Sequence, residues 1–463
     1  MKSPTLSMTK KTHDIALQHL FPGDELESAG VFICNQGTGV HFQKLIVTKF
    51  VQIPHELCDR RSNHIVWPFE AYFDSKTITN IDLAKQSVIT IHSHPGGDLK
   101  FSKIDNQNDR ELFASINAWF DDDRPNGAAI MVPNGTIMAR KVEDNGIFQS
   151  FRSVNVVGET ISIWSKEEDS FYTPHEKKIC QTLGTGTLER LRKMRVGVVG
   201  CSGTGSIVVE LLARNCVGNL VLVDDDTVEE KNLNRLVNSA LTDVKDGKTK
   251  VDALAASIAR AGLGTKIDAY EALTDSPKAV AALIDCDVIF GCVDSAFGRY
   301  HLDCLASAYL IPYFDVGVHI DADGTGDIRS ADAVAHYIHP DGRDLLSRGG
   351  YTLSQVKSEN YQRNDPDTYT KHRENGYLAS VGEEQPAVMS VNMQAACMAF
   401  NDFLARIHTF RFDPDREFAT QRFRLTHGCY EHESDDGEPC SLFIKYRGMG
   451  DSSPLVQNNL RND

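Results

Sequence analysis

Paired cysteines are what this chain most conspicuously lacks. Its eleven cysteines are scattered from Cys34 to Cys440, odd in number and without a single Cys-x-x-Cys. A secreted disulfide scaffold is denser and paired, so these thiols read as reduced and the expected compartment as cytoplasmic. No uninterrupted apolar run approaches the ~18 residues a membrane span needs. The opening Met1-Lys-Ser-Pro-Thr-Leu-Ser has no apolar signal core, so neither a membrane nor a secretory route is expected. Positive charge is also in deficit, 48 Lys+Arg against 64 Asp+Glu for a net charge of −16. A nucleic-acid binder needs a dominant basic face, so nucleic acid is not an expected partner. Proline is sparse, 16 in 463 residues, and 41% of residues are apolar, which excludes a mainly disordered or fibrous chain.

What is present reads as an α/β protein in two chemical halves. A helix is expected over Thr12–Leu20, with strands at Gly30–Cys34 and Phe42–Val51. A buried strand, Ser87–His94, runs into a helix from about Lys103 to Phe120. Gly127–Pro133 and Thr136–Lys141 flank the turn pair Asn134-Gly135 and read as a hairpin. An acidic stretch at Ser165–Ser170 reads as a linker. Strand and helix patterns then alternate: Met194–Gly200, a helix from Gly205, strand Asn219–Asp224, helix Lys250–Ala261, strand Val288–Asp294. That alternation predicts a parallel, doubly wound, Rossmann-like sheet. The expected division is 1–158, a linker at 159–171, 172–415, and a C-terminal appendage at 416–463.

The first chemical site ends the strand Ser87–His94. His92 and His94, at i and i+2, share one face of the strand and can reach one ion. Ser102-Lys-Ile-Asp105 has the form of a capping box and places Asp105 in a helix first turn. Two histidines and a carboxylate make a three-ligand zinc set with a fourth position open. Read alone, His-x-His is as well explained by a strand with two incidental histidines. The longer pattern, His92-Ser-His94, seven residues, Ser102, two residues, Asp105, resembles the signature of the JAMM/MPN (JAB) zinc isopeptidases. Glu27-Ser-Ala-Gly30 is similar to that family's upstream Glu-x-x-Gly. The resemblance covers about residues 12–145 and implies an α-β-α domain. It also implies Zn²⁺ on His92, His94 and Asp105, with Glu27 the general base and Ser102 a donor to the oxyanion. Glu25 rivals Glu27 for the base.

The second site begins with Gly200-Cys-Ser-Gly203-Thr-Gly205, between a strand and a helix, where backbone N–H groups can meet phosphate. Asp224, at the end of the next strand, is placed for a ribose hydroxyl. These features alone also suit an NAD enzyme. The run Asp224-Asp-Asp226-Thr-Val228-Glu-Glu-Lys-Asn232-Leu-Asn234-Arg235 resembles that of the ThiF/MoeB/E1 activators of ubiquitin-like proteins. Gly247-Lys-Thr-Lys250 and Asp294-x-x-x-x-Arg299 match its next two motifs. Ile311–Gly317 and Gln385–Asn392 match later segments, so the resemblance spans about 172–410. It implies adenylation of a C-terminal carboxylate by ATP. Gly200, Gly203, Gly205, Asp224 and Asp226 would line the nucleotide site, with Asp224 on the ribose. Asn232 and Arg235 would contact phosphates, Lys250 would stabilise the charge that develops there, and Asp294 would help hold Mg²⁺.

Departures narrow the mechanism. Relatives often carry two Cys-x-x-Cys pairs for a structural zinc, absent here. Thioester-forming members place a cysteine after the magnesium aspartate, yet no cysteine occurs from Leu305 to Ala396. Cys201, Cys292 and Cys304 have apolar flanks and read as buried hydrophobes. An arginine expected before the first strand is replaced by Lys177 or Lys178, which supply charge without a bidentate fork. His427, Cys429, His432 and Cys440 follow no known zinc spacing. The resulting expectation is a fusion that cleaves at, and then activates, the C-terminus of a ubiquitin-like protein, in a bacterial conjugation or phage-defence pathway. An E2-like partner and a homodimer are implied. Sulfur-carrier activation, peptide adenylation, and one half serving as an inactive binding module are the alternatives.

Overall fold

The computed structural model describes residues 3–58, 61–62, 86–118, 120, 124–166, 171–374, 386–454 and 456. These fall into two compact units: the described parts of Met1–Ser170, Ala308–Leu310 and Tyr446–Gln457, and those of Phe171–Ser307, Ile311–Lys445 and Asn458–Asp463.

In the first unit the order is β1 (Pro4–Thr9), α1 (Lys10–Leu20), β2 (Ala29–Thr38), β3 (Gln43–Gln52), β4 (Ser87–Ser93), α2 (Lys103–Asn117), β5 (Gly127–Met131), β6 (Ile137–Val142), β7 (Phe148–Ser150), β8 (Ser153–Val157) and β9 (Ile161–Trp164). They form a nine-stranded mixed sheet, β7-β6-β5-β4-β2-β3-β1-β8-β9. Period-2 alternation divides β2 between two cores. Phe32 and Cys34 join Ala16 and Leu20 of α1, while Val31 and Ile33 join Phe113 and Ile116 of α2. A helix on each face gives α-β-α layering. β1 is absent from the sequence expectation, yet it is buried along its length and lies between β3 and β8. Its alternate Thr5, Ser7 and Thr9 conceal the apolar Leu6 and Met8, and Pro4 is tolerated because it is the strand's first residue.

The second unit continues with α3 (Pro174–Lys193), β10 (Arg195–Val199), α4 (Gly203–Arg214), β11 (Asn219–Asp224), α5 (Leu241–Lys245), α6 (Lys250–Ala261), β12 (Lys266–Glu271), α7 (Pro277–Ile284), β13 (Val288–Gly291) and α8 (Ala296–Tyr309). β14 (Tyr313–Ala322), β15 (Ile328–Ile338), α9 (Leu353–Asn364), α10 (Pro366–Glu374), α11 (Met389–His408), β16 (Thr420–Arg424), β17 (Cys429–Glu433) and α12 (Ser441–Tyr446) follow. The eight-stranded sheet runs β12-β11-β10-β13-β14-β15-β16-β17. Its first five strands are parallel and the remainder antiparallel. Parallel strands with alternating helices bring the carboxyl ends of β10, β11, β12 and β13 to one edge, the usual place for a ligand crevice. The stretch expected as an appendage supplies β16 and β17, which extend this sheet from β15. The expected linker 159–171 is not a linker throughout: Ile161–Trp164 form β9 against β8, and 167–170 lie outside the described residues. No described helix is long and apolar enough to cross a membrane.

Candidate functional site

The carboxyl edge of the second sheet opens into a cavity of about 720 Å³, within the size range of small-molecule sites. Glycines shape its floor. Gly200 turns the chain at φ +85°, and a Cβ there would lie 2.6 Å from the Cys292 carbonyl oxygen. A Cβ on Gly205 would lie 1.8 Å from the Gly200 carbonyl oxygen, so glycine is required for α4 to start this close to β10. No side chain among the described residues caps α4, which leaves its first-turn N–H groups for a ligand.

Asp224, at the end of β11, accepts from Cys201 N–H at 2.6 Å and from Asp226 N–H at 3.0 Å. Burial pushes its carboxyl up, against the pull of Lys250 and these two N–H donors. Lys250 arrives beside it because Thr227 and Thr249 form a short antiparallel bridge, with Lys250 N–H donating to the Asp226 carbonyl at 3.0 Å. Its Nζ lies 3.7 Å from Asp224 and pairs with Asp226. Burial would lower its pKa, but the two carboxylates raise it and keep it cationic. Asn232 Oδ1 caps a 3₁₀ turn through Glu229 N–H at 3.0 Å. Arg235 reaches the cavity wall with Nη1 on the Lys231 carbonyl at 2.9 Å and on Asn234 Oδ1 at 3.0 Å.

Gly200, Gly203, Asp224, Asp226, Asn232, Arg235, Lys250 and Asp294 therefore all line one cavity. Gly205 lies behind it as a packing residue. Lys177 and Lys178 are exposed and do not line it. Cys201 is fully buried with its thiol pushed well up, and Cys292 and Cys304 are also pushed up by burial, so none is poised as a thiolate.

Several cavity groups escaped the sequence reading. Glu359 of α9 accepts from Ala296 and Phe297 N–H, at 3.0 and 2.7 Å, and so caps α8 from another helix. Arg363 pairs with Asp275 through both guanidinium ends, at 3.1 and 2.6 Å, and stacks 4.5 Å from the Phe297 ring centroid. Arg299, held by Asp315, also reaches the wall. These partners lie on separate elements, so no local spacing signals them.

In the first unit, the Nε2 atoms of His92 and His94 lie 3.1 Å apart. Asp105 carboxylate oxygens lie 3.5 Å from the first and 3.7 Å from the second. Tetrahedral ligands at the usual zinc distances are about 3.3 Å from one another, so this donor set fits the ion. The His94 Nδ1–H donates to the Asp98 carbonyl at 2.7 Å, which leaves its Nε2 lone pair for the cluster. The capping box forms as expected: Ser102 Oγ accepts from Asp105 N–H at 3.1 Å, and Asp105 accepts from Ser102 N–H at 2.6 Å. Burial opposes ionisation of Asp105, but both imidazoles and the Ser102 N–H hold it well below the usual carboxylate range. His94 is raised by Asp105 first, with Asp98 and the Glu27 charge adding to it. Glu27 is buried and its charge acts on His94, whereas Glu25 is exposed at φ +59°.

A further donor group, His175, Glu176 and Cys216, is clustered. Its carboxylate already holds Thr173 and faces Arg192, and burial raises the Cys216 thiol to about 11. His427, Cys429, His432 and Cys440 join no donor group among the described residues.

The ThiF family model matches residues 175–407. The chain belongs to the ThiF family. It is 30% identical over 146 residues to ubiquitin-like modifier-activating enzyme 5 of Drosophila willistoni, covering 29% of this chain and 35% of that protein. With molybdopterin-synthase adenylyltransferase of Escherichia coli K12 it shares 32% over 124 residues, or 27% and 49%. With SAMP-activating enzyme E1 of Haloferax volcanii it shares 35% over 114 residues, or 25% and 42%. The chain thus spans between about a third and a half of these relatives. Among solved structures, E. coli MccB with ATP aligns at a TM-score of 0.44 and 18% identity, over 58% of this chain and 74% of that one.

Proposed function

We propose that the second unit adenylates the C-terminal carboxylate of a ubiquitin-like or sulfur-carrier protein, using ATP as substrate. The observation that carries this reading is the convergence of the open α4 amides, Asp224, Asn232, Arg235, Lys250 and Asp294 on one cavity in a ThiF-family chain. The substrate carboxylate oxygen attacks the α-phosphorus. The bond from that phosphorus to the bridging oxygen breaks, and pyrophosphate leaves with the electron pair. Asp224 takes the ribose hydroxyls. Asn232, Arg235 and the glycine loop Gly200–Gly205 hold phosphate oxygens. Lys250 balances the charge gathering on the leaving group. Asp294, on the cavity wall, would help hold Mg²⁺, an ion that takes one or two protein carboxylates. When bound, it neutralises phosphate charge.

The test is ATP–pyrophosphate exchange with purified protein, Mg²⁺ and a small β-grasp protein encoded beside it. Exchange that depends on this partner supports the reading, and its absence with every such partner refutes it. A thiocarboxylate on the partner selects the sulfur-carrier branch, whereas a lysine isopeptide selects conjugation, with an E2-like protein next in line.

A second reading applies to the first unit and rests on the His92–His94–Asp105 donor set with Glu27 beside it. We propose a JAMM-type zinc isopeptidase that trims or releases the same class of C-terminus. His92, His94 and Asp105 would hold the zinc, which when bound would supply Lewis acidity. Glu27 takes the proton of the attacking water and delivers it to the leaving amine, while the Ser102 hydroxyl donates to the oxyanion. Release of the C-terminal extension from a precursor, read by mass spectrometry, tests it.

A further inference from the structure

Asn392 reaches the cavity from α11, and its neighbour there, Thr204, is 188 positions away in the chain. The residue is 7% exposed. Its Nδ2 donates to Thr204 Oγ1 at 2.8 Å, and Oδ1 has no hydrogen-bond partner among the described residues. Leaving a buried amide oxygen unpaired is unfavourable. The opposite rotamer costs more, because turning the amide over would seal two N–H donors where one acceptor now sits. In this orientation Oδ1 is the sealed atom, and Nδ2 faces Thr204 and the first turn of α4.

That nitrogen has two protons. Thr204 uses one, and the second has no acceptor among the described residues. Its location is specific: a Cβ built on Gly203 would lie 3.0 Å from Asn392 Nδ2 and 3.1 Å from Arg235 Cδ. The amide, the stem of Arg235 and the first turn of α4 thus meet at one point, where an anion is favoured by the helix terminus. Phosphate oxygens only accept, and this N–H only donates.

We infer that Asn392 is a phosphate-binding residue, an uncharged donor aimed by Thr204 at the phosphates of the nucleotide. This deepens the adenylation reading and rests on it. Asn392 contributes direction rather than charge, unlike Arg235 and Lys250, so its effect is visible in how affinity changes with phosphate number.

The experiment is calorimetric titration of the full-length protein, with Mg²⁺, against adenosine, AMP, ADP and ATP. N392A should weaken ATP about tenfold and leave adenosine within about twofold. N392D keeps the shape, removes the donor and adds a negative charge, so its penalty should exceed that of N392A and grow from AMP to ATP. T204V should weaken ATP by a smaller factor, about threefold, and it decides the matter if either Asn392 variant fails to fold. Equal losses for adenosine and ATP, or ATP binding unchanged in all three variants, overturn the inference while the adenylation reading stands. A wild-type protein that binds none of the four ligands overturns both.

Discussion

Lys250 Nζ lies 3.7 Å from the Asp224 carboxylate and is also paired with Asp226, so one cation is set between two acids at the cavity wall. Its side chain is 6% exposed, whereas that of Asp226 is 65% exposed. The pair with Asp226 is consequently the easier of the two to open, and a triphosphate can take the lysine by displacing the exposed partner.

The first prediction concerns that lysine. Lys250→Ala should reduce pyrophosphate exchange by about 10²–10³-fold, the usual cost of removing one preorganised charge-stabilising donor. Asp226→Asn should cost far less, because Lys250 stays anchored by Asp224. Exchange rates at saturating ATP decide between them. Equal losses would show that Asp226 holds the lysine in place.

Backbone approach gives the second prediction. Gly205→Ala forces a Cβ to 1.8 Å from the Gly200 carbonyl, and either α4 or the loop must move. It should destabilise the protein by about 1–3 kcal/mol or more in urea denaturation and abolish nucleotide binding. Gly262→Ala, at φ +66° but with nothing within 4 Å of its Cβ, should cost about 1 kcal/mol and leave binding intact.

Metal content tests the first unit. His92→Ala or Asp105→Ala should lower zinc from about one ion per chain to near zero by elemental analysis. Glu27→Gln should retain the ion and lose precursor cleavage, since Glu27 is not among the clustered donors. Loss of zinc from Glu27→Gln would assign it as a ligand.

Burial gives a pH signature. His301 is fully buried with neither ring nitrogen partnered among the described residues, and burial pushes it down to about 4. An unfolded histidine titrates near 6.5. Between about pH 6.5 and 4 the unfolded chain binds the extra proton, so this contribution is whole above pH 6.5 and lost as the pH falls, on the order of 3 kcal/mol in all. His301→Leu should remove one proton's worth of slope in that window and none above it, measured as the pH dependence of unfolding free energy. Asp303, pushed up to about 8 mainly by burial, acts oppositely: its stabilisation is present at low pH and declines between about pH 4 and 8.

The parts that were legible in the sequence are those with local cause. The strand at β11, the helix at α6 and the capping box at Ser102 announce themselves through β-branched runs, amphipathic spacing and cap chemistry, and each forms where expected. The first motifs of the cavity are legible for the same reason, since they sit at the ends of adjacent strands. β1 was hidden because alternate hydroxyl side chains masked a buried strand. Glu359, the Arg363–Asp275 pair and the Asn392–Thr204 contact were hidden because each joins elements 60 to 190 positions apart. Only the closed fold brings those together.

The Glu359 cap has one more consequence. The helices that follow β10 and β13 both begin at the cavity, and Glu359 has already satisfied the leading amides of α8. The amides of α4 have no capping side chain among the described residues. Of these two attractive poles, one is cancelled from within and one is left live. A molecule with an anionic tail and a neutral head therefore meets a site that has a heading, with its tail drawn toward Gly203, before any contact specific to its shape is made.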